Sequence, residues 1–326
     1  MIIKLGIIGA GWIADKMGET LAGLKHPEVI PYAISSRSLS KAQAFAERWG
    51  FAKAYGSYEE MLADPEVNLV YIATPHSHHF IHSKMAVEAG KAVLCEKAFT
   101  ANAREAEELI SLAESRGVFI TEAIWTRYMP LSLKVMELIE GGAIGRPRLI
   151  YSSLCYAMEN KERILRTDLC GGALLDLGVY CINFARMFFG TDIINQASTC
   201  IMGDTGTDMF ETITMQYADG KVANLVSSAM ARCNREGLIV GDDGYIVIEN
   251  INCPECAKVY KDYKLVDTYY PPQGQVTGYE WQVLACKDAL EKGLLESPYM
   301  PHRETVAIMK QMDGLRAEWG VVYPND

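Results

Sequence analysis

At 326 residues, with 49% apolar and 22% charged side chains, the chain has the composition of a folded globular protein and not of a disordered one. At ~100–200 residues per domain it has room for two domains. Asp and Glu outnumber Lys and Arg 41 to 31, and the resulting formal charge of −10 argues against general nucleic-acid binding.

No uninterrupted apolar run reaches the ~18 residues of a membrane span, so no membrane association is expected. The N-terminus lacks a signal-peptide layout, because Lys4 is followed by a short apolar stretch broken by Gly6, Gly9 and Gly11. Nine cysteines, an odd number mostly set in apolar segments, read as reduced thiols in a cytoplasmic protein.

Residues 2–8 form an apolar run with one Lys, the pattern of a strand buried on both faces of a parallel sheet. Gly9-Ala10-Gly11 follows, then a helical pattern over 12–24. Strands are predicted over 29–35, 69–73, 93–95 and 118–122. Helices are predicted over 40–49, 57–62, 81–89 and 103–115. Strands alternating with helices predict βαβ units and a parallel sheet. Beyond residue 123 helices persist over 131–139 and 173–189, but strand signals dominate 195–270. Ala218-Asp219-Gly220 and Asp242-Asp243-Gly244 mark turns there. Helices over 279–292 and 304–319 close the chain. The expected class is α/β: an N-terminal Rossmann dinucleotide-binding domain (1–122) and a C-terminal α+β domain (123–326) with a large, mostly antiparallel open sheet. No low-complexity linker separates them, which predicts a shared interface.

Gly9-Ala10-Gly11-Trp12-Ile13-Ala14 fits G-x-G-x-x-G/A between a strand and a helix, the context that gives this motif meaning. Gly9 permits the tight turn, Gly11 lets the backbone approach a pyrophosphate, and Ala14 is small enough for close helix–strand packing. The helix N-terminus offers N–H groups and a positive dipole end to phosphates. The plainer alternative is a Gly-rich turn in an unrelated α/β fold. The second strand ends in Ser35-Ser36-Arg37-Ser38, with no acidic residue to hold a ribose 2′-hydroxyl. Hydroxyls and the Arg37 guanidinium suit a 2′-phosphate, so NADP is the expected cofactor, with NAD as the alternative. A solvated surface role for Arg37 is the competing reading.

Two further segments carry chemistry. Cys95-Glu96-Lys97-Ala98 ends a strand, where ligands sit in open α/β sheets. In the stretch from Gly171 to Tyr180, a helix puts Asp176 and Tyr180 four residues apart on one face. Asp176 lies among Leu174, Leu175 and Leu177, and a buried carboxylate needs a partner. An ion pair with Lys97 or Arg166 is the structural alternative to a chemical role.

Gly9-x-Gly11, Thr74-Pro75 with His79, Glu96-Lys97 and Gly172-Ala173-Leu174-x-Asp176-x-Gly178-x-Tyr180 together resemble the glucose–fructose oxidoreductase/inositol dehydrogenase (Gfo/Idh/MocA) family over essentially the whole chain. Within it, Glu122-Ala123-Ile124-Trp125-Thr126-Arg127, Tyr180 and Glu296-Ser297-Pro298 resemble the branch of dihydrodiol and D-xylose dehydrogenases. The resemblance implies Lys97, Asp176 and Tyr180 as catalytic residues. It implies cofactor contacts from Trp12, Ile13, Ser36, Thr74, Pro75, His76, His79, Glu96, Lys97 and Arg166. Trp125 would line the substrate pocket, with Arg148, Tyr156 and Asp176 as further substrate contacts. A homodimer or homotetramer through the C-terminal sheet is the implied assembly.

Hydride transfer from a carbinol needs a base for the hydroxyl proton. A free Tyr has a pKa of ~10, and a nearby ammonium favours its phenolate, which suits Lys97 as the assistant of Tyr180. Asp176 would orient Lys97 or hold a substrate hydroxyl. The expected activity is NADP(H)-dependent oxidation or reduction of a cyclic aldose, diol or related small polyol. The alternatives are polyol dehydrogenation or redox-assisted glycoside cleavage, and a non-catalytic NADP-binding sensor.

The family's Glu-Lys-Pro is Glu96-Lys97-Ala98 here, which leaves open whether Lys97 is placed through a cis or a trans peptide. Cys170 stands where many relatives have a third Gly. Leu154 and Pro254 replace aromatics of the dihydrodiol enzymes, which favours a small sugar or aldehyde. His76, His78, His79 and His82 suggest a metal cluster, but this chemistry requires none and no metal is expected. Cys253-Pro254-Glu255-Cys256 is a lone C-x-x-C without a second pair, and it reads as a loop.

Overall fold

The computed structural model describes residues 1–326. Apolar runs in the first 123 residues become six strands: β1 (Ile3–Ile8), β2 (Val29–Ser35), β3 (Lys53–Tyr55), β4 (Leu69–Ile72), β5 (Ala92–Glu96) and β6 (Ile120–Ala123). They form one parallel sheet in the order β3-β2-β1-β4-β5-β6. Between them run α1 (Trp12–Leu24), α2 (Leu39–Trp49), α3 (Tyr58–Leu62), α4 (His76–Glu88) and α5 (Ala103–Arg116). Every residue of β4, β5 and β6 is buried, as expected of parallel strands covered on both faces. Strand order reverses between β1 and β4, so the loops after these strands flank the crevice where doubly wound sheets bind ligands.

Two local expectations change. β3 went unpredicted because three half-exposed residues at a sheet edge carry no alternation. α4 starts at His76, directly after Pro75, and not at residue 81. Pro75 is already extended, with ψ 154°, so the helix begins as soon as the proline is passed.

The second sheet has eight strands: β7 (Pro147–Cys155), β8 (Ile193–Met202), β9 (Asp208–Tyr217), β10 (Val222–Ser228), β11 (Gly237–Gly241), β12 (Tyr245–Glu249), β13 (Cys256–Lys261) and β14 (Lys264–Tyr269). Their order is β14-β13-β12-β11-β7-β10-β9-β8, antiparallel throughout except for β7 and β10. The helical elements of this part are a 3₁₀ turn (Trp125–Tyr128), α6 (Pro130–Glu140), α7 (Glu162–Leu165), a second 3₁₀ turn (Thr167–Leu169), a π turn (Leu174–Gly178) and α8 (Val179–Phe189). α8 packs on β7 and β10. One face of the sheet is apolar, with Ile150, Ile213, Met215, Leu225, Ile239 and Ile246 buried. The other face carries exposed Thr214 and half-buried Asn224, which hydrogen-bond across β9 and β10. The stretch Thr167–Phe189 is long and apolar enough to cross a membrane by length and composition, although polar residues interrupt it, yet 89% of its apolar window is buried inside the fold.

Contacts divide the chain into two units, Met1–Ile124 with Gln275–Met309, and Trp125–Gly274 with Lys310–Asp326. The division at residue 122 gave everything C-terminal to the second domain. Instead α9 (Glu280–Glu291) and the start of α10 (His302–Trp319) pack into the first unit. Buried Glu280 accepts from the N–H groups of Val276, Thr277 and Gly278, and Thr277 Oγ1 lies 2.6 Å from Thr20 Oγ1. Near the start of α10, His302 Nε2 lies 2.9 Å from the Ile120 carbonyl. These ties are long-range polar contacts, which sequence periodicity does not encode.

Candidate active site

The first unit builds a dinucleotide cradle from short-range geometry. β1 ends at Gly9, with φ 102°, where a Cβ would come 2.7 Å from the Ala73 carbonyl oxygen, so no larger residue fits this turn. The Gly9 N–H donates to the Ser35 carbonyl at 3.0 Å and so joins the ends of β1 and β2. Gly11 precedes α1, and nothing lies within 4 Å of where its Cβ would stand. No side chain caps the first turn of α1, so its N–H groups face that open space. Ala14 is fully buried, and Trp12 is exposed. The cradle thus fits an anionic pyrophosphate, with a backbone donor set and room that any side chain at residue 11 would fill. Ile13 is half-buried beside it. Beyond β2, Ser36 is buried, its Oγ accepts from the Ser38 N–H, and Arg37 is exposed.

The loops after β4 and β5 are tied together by one ring. His79 is buried, with Nδ1 2.7 Å from the Ala98 carbonyl oxygen and Nε2 2.8 Å from that of Thr74. Only an imidazolium can donate to both carbonyls. Burial, aided by the positive charge of Lys97, nevertheless pushes the His79 pKa down to about 4. Burial dominates, so the ring is neutral at neutral pH and donates to one carbonyl. His79 thus lies between the backbone carbonyls of both loops and donates to one of them. Glu96 is buried, accepts a short hydrogen bond from Tyr71 and accepts the Lys97 N–H at 3.2 Å, which fixes the backbone that presents Lys97. Lys97 is half-buried, and the Lys97–Ala98 peptide is cis. Thr74 and His76 are half-buried and Pro75 is exposed at the same rim. No group of histidines, cysteines and carboxylates is arranged to hold a metal. His78 instead stacks on His82, with ring centroids 5.6 Å apart.

In the second unit, Asp176 and Tyr180 are presented by a helix that is not regular. The Val179 N–H reaches back to the Leu174 carbonyl, five residues away, so Asp176 lies in a π turn and Tyr180 in the α-helix that follows. Tyr180 is buried, and its hydroxyl oxygen accepts the Trp125 indole N–H at 2.8 Å. One turn further along, Arg127 Nε donates to Asn183 Oδ1 at 2.7 Å, and Asn183 Nδ2 donates to the Val179 carbonyl. Trp125 and Arg127, two residues apart on a 3₁₀ turn, thereby grip α8 at two points. The chemical consequence concerns the phenol. A donor on its oxygen supports negative charge there while leaving the O–H proton for exchange.

Asp176 is buried and pairs with Arg163 Nη1 at 2.7 Å. This corrects the Arg166 alternative. Arg166 is exposed, and its guanidinium is taken up by Glu162 and Asp168. Its assignment to the cofactor has no support in that pairing. Arg148 is a second correction. It lies at the start of β7 in a bidentate pair with Asp242, at 2.7 and 2.9 Å, whereas Tyr156 follows the other end of the strand. Eight residues at ~3.3 Å each separate them by roughly 26 Å, so one small substrate cannot touch both. The Tyr156 end is the one near Trp125, because the Thr126 hydroxyl donates to the Asn252 carbonyl and the Tyr156 hydroxyl to Asn252 Oδ1.

Arg163, Arg235, Asp208 and Glu211 were missed. Arg235, with φ 58°, donates to the Tyr156 hydroxyl at 3.2 Å. Glu211 left a readable signal, since it alternates in phase with Ile213, Met215 and Tyr217 and so points inward. Leu154 is fully buried. The Cys253–Cys256 segment is a loop running into β13, and all nine cysteines are free.

Residues 3–123 match the oxidoreductase family with an NAD-binding Rossmann fold, and residues 132–247 match the GFO/IDH/MocA C-terminal domain. The trans-1,2-dihydrobenzene-1,2-diol dehydrogenase of Danio rerio is 33% identical, over 100% of this chain and 99% of its own. That of Mus musculus is 32% identical, also over 100% and 99%. Among solved structures, a 3-ketoreductase from Actinomadura kijaniata in complex with NADP superposes with a TM-score of 0.87 at 23% identity, covering 97% of this chain and 98% of that one. An aldose–aldose oxidoreductase from Caulobacter crescentus superposes at 0.88 with 19% identity and 98% coverage of both. These two likenesses concern the fold.

Proposed function

The chain belongs to the Gfo/Idh/MocA oxidoreductase family, an NAD(P)-dependent dehydrogenase or reductase by its Rossmann domain and its dehydrogenase relatives, and from that premise we propose that it is an NADP(H)-dependent enzyme of small sugars, diols or their carbonyl counterparts, with Tyr180 as its acid/base. The observation that carries the chemistry is the buried Tyr180 hydroxyl held by the Trp125 indole N–H, on the helix that also carries buried Asp176.

The nicotinamide, when bound, accepts or gives the hydride. In the oxidative direction Tyr180 takes the proton of the carbinol, and in the reductive direction it returns it. Trp125 holds the phenol oxygen and contributes an apolar wall. Asp176, oriented by Arg163, accepts a hydrogen bond from a substrate hydroxyl. Lys97 supplies positive charge that favours the phenolate. Ser36 and Arg37 take the 2′-phosphate, and Gly9, Gly11 and the first turn of α1 take the pyrophosphate.

The dihydrodiol dehydrogenase relatives support a diol, whereas Leu154 and Pro254 in place of aromatics support a sugar or small aldehyde. A panel of aldoses, polyols, dihydrodiols and aldehydes, followed by NADPH absorbance with product analysis, tests this. Turnover of a sugar or diol supports it. Cofactor binding without turnover of any of them would leave a sensor. Arg37→Ala should weaken NADPH far more than NADH, and equal losses would contradict the NADP assignment. A homodimer or homotetramer through the eight-stranded sheet is the matching assembly, to be checked by light scattering.

A further inference from the structure

Gly172 and Gly178 bracket the segment that carries Asp176 and leads into Tyr180. Each stands directly over a buried carboxyl group. A Cβ at Gly172 would come 2.2 Å from Asp208 Oδ1, and one at Gly178 would come 2.8 Å from Glu211 Oε1. Both acids, on β9, are 0% exposed. Asp208 Oδ2 accepts the Leu174 N–H at 2.5 Å, and the Ala173 N–H also points to this carboxylate. It therefore supplies the cap that the start of the π turn lacks from its own flanking residue. Glu211 accepts a short hydrogen bond from the Ser227 hydroxyl of β10, and that hydroxyl would itself lie 3.1 Å from a Cβ at Gly178.

An apolar pair would fill this space without the cost of desolvating two acids, which weighs against mere space-filling. The motif glycines are small because the acids occupy the room a side chain would need. We propose that Asp208 and Glu211 are positioning residues, which seat the backbone of 173–178 and thereby aim Asp176 and Tyr180. The inference rests on the reading of Tyr180 as the acid/base.

The electrostatics agree with this geometry. Burial and the neighbouring Asp208 push the Glu211 pKa well up, in the direction of the neutral acid. Burial pushes Asp208 up to about 6, against three backbone donors (the N–H groups of Leu174, Ala173 and Asp208 itself) and the field of Arg316. The other titratable groups facing the pair are Tyr323, and Cys200 of β8, with Cys155 and Cys181 facing Glu211.

The test uses the full chain and the best substrate of the panel. Asp208→Asn keeps the volume but removes the charge and one of the two acceptor oxygens that face the start of the π turn. Its kcat should fall about tenfold or more, with NADPH affinity unchanged and KM changed less than kcat. Glu211→Gln keeps the volume and an acceptor for the Ser227 hydroxyl and should keep kcat within about threefold, whereas Glu211→Ala should lose about tenfold. Tm is measured for every variant. If Asp208→Asn does not fold, the Glu211 pair decides, because a merely structural role lowers Tm without separating Gln from Ala in kcat. Unchanged kcat in folded Asp208→Asn and Glu211→Ala, alongside a collapsed Tyr180→Phe, overturns this inference alone. Full turnover by Tyr180→Phe overturns the reading beneath it, and the inference with it.

Discussion

Replacing Trp125 by Phe removes one atom pair of interest, the indole N–H that donates to the Tyr180 hydroxyl at 2.8 Å. Both side chains are buried, so water does not replace the lost donor. In the ground state the phenol is neutral, and such a hydrogen bond is worth ~1 kcal/mol. During proton exchange the oxygen carries negative charge, and a hydrogen bond to a charged group is worth ~1.5–3 kcal/mol. The difference between the two states, about 0.5–2 kcal/mol, is what the transition state loses, which corresponds to roughly a 2- to 30-fold fall in kcat. Binding of NADPH should change less than kcat, because the lost donor acts on the Tyr180 oxygen and not on the Gly9–Gly11 cradle. The assay is steady-state kinetics followed by NADPH absorbance, with cofactor affinity from fluorescence titration. Thermal melting checks that the smaller ring does not unfold the site. A folded Trp125→Phe enzyme with wild-type kcat would refute the claim that Trp125 supports charge on Tyr180.

Gly11→Val should fold normally, because nothing lies within 4 Å of the added Cβ and φ is −100°, yet it should weaken NADPH binding about tenfold or more. Unchanged cofactor affinity would move the pyrophosphate site elsewhere. Arg148→Ala should leave kcat and KM unchanged and cost less than about 1 kcal/mol in stability, since its pair with Asp242 is half-exposed; a raised KM would restore it to the substrate site. His82 is buried with its pKa pushed down to about 4 by burial and by His78. The folded state therefore takes up its proton later than the unfolded state, and stability is lost as pH falls from ~6.5 toward 4, by about 3 kcal/mol at most. Melting curves of the wild type and His82→Gln should diverge at pH 7 and converge in that window. A pH-independent difference would contradict this.

Legibility followed the range of the interactions. The turn at Gly9, the open cap at Gly11 and the alternation that gives the parallel sheet are local, and the sequence showed them. β7 did not show itself, because Arg148, Ser152 and Ser153 interrupt its apolar pattern although it lies between β10 and β11. The partner of Asp176 was invisible for a related reason. Both Arg163 and Arg166 lie near in sequence, and only the fold turns Arg166 to Glu162 and Asp168 while Arg163 reaches the carboxylate. The helix from 173 to 189 was readable as a helix, but its π turn was not, since that pitch comes with capping by Asp208 from another strand. His79 and the histidines around it suggested ligands by type. Only the fold shows that His79 is buried against two backbone carbonyls and that His82 meets the Thr74 hydroxyl.

The central claim is that Tyr180 exchanges the proton while a nicotinamide exchanges the hydride. Tyr180→Phe removes only the hydroxyl from a residue already seated by α8, so the fold and the cofactor cradle should survive. Single-turnover kinetics of the NADPH-loaded variant, with affinity measured alongside, addresses the claim directly. The account predicts unchanged NADPH binding and a hydride-transfer rate lowered by about 100-fold or more. A folded, cofactor-binding Tyr180→Phe enzyme that turns over at the wild-type rate would contradict it.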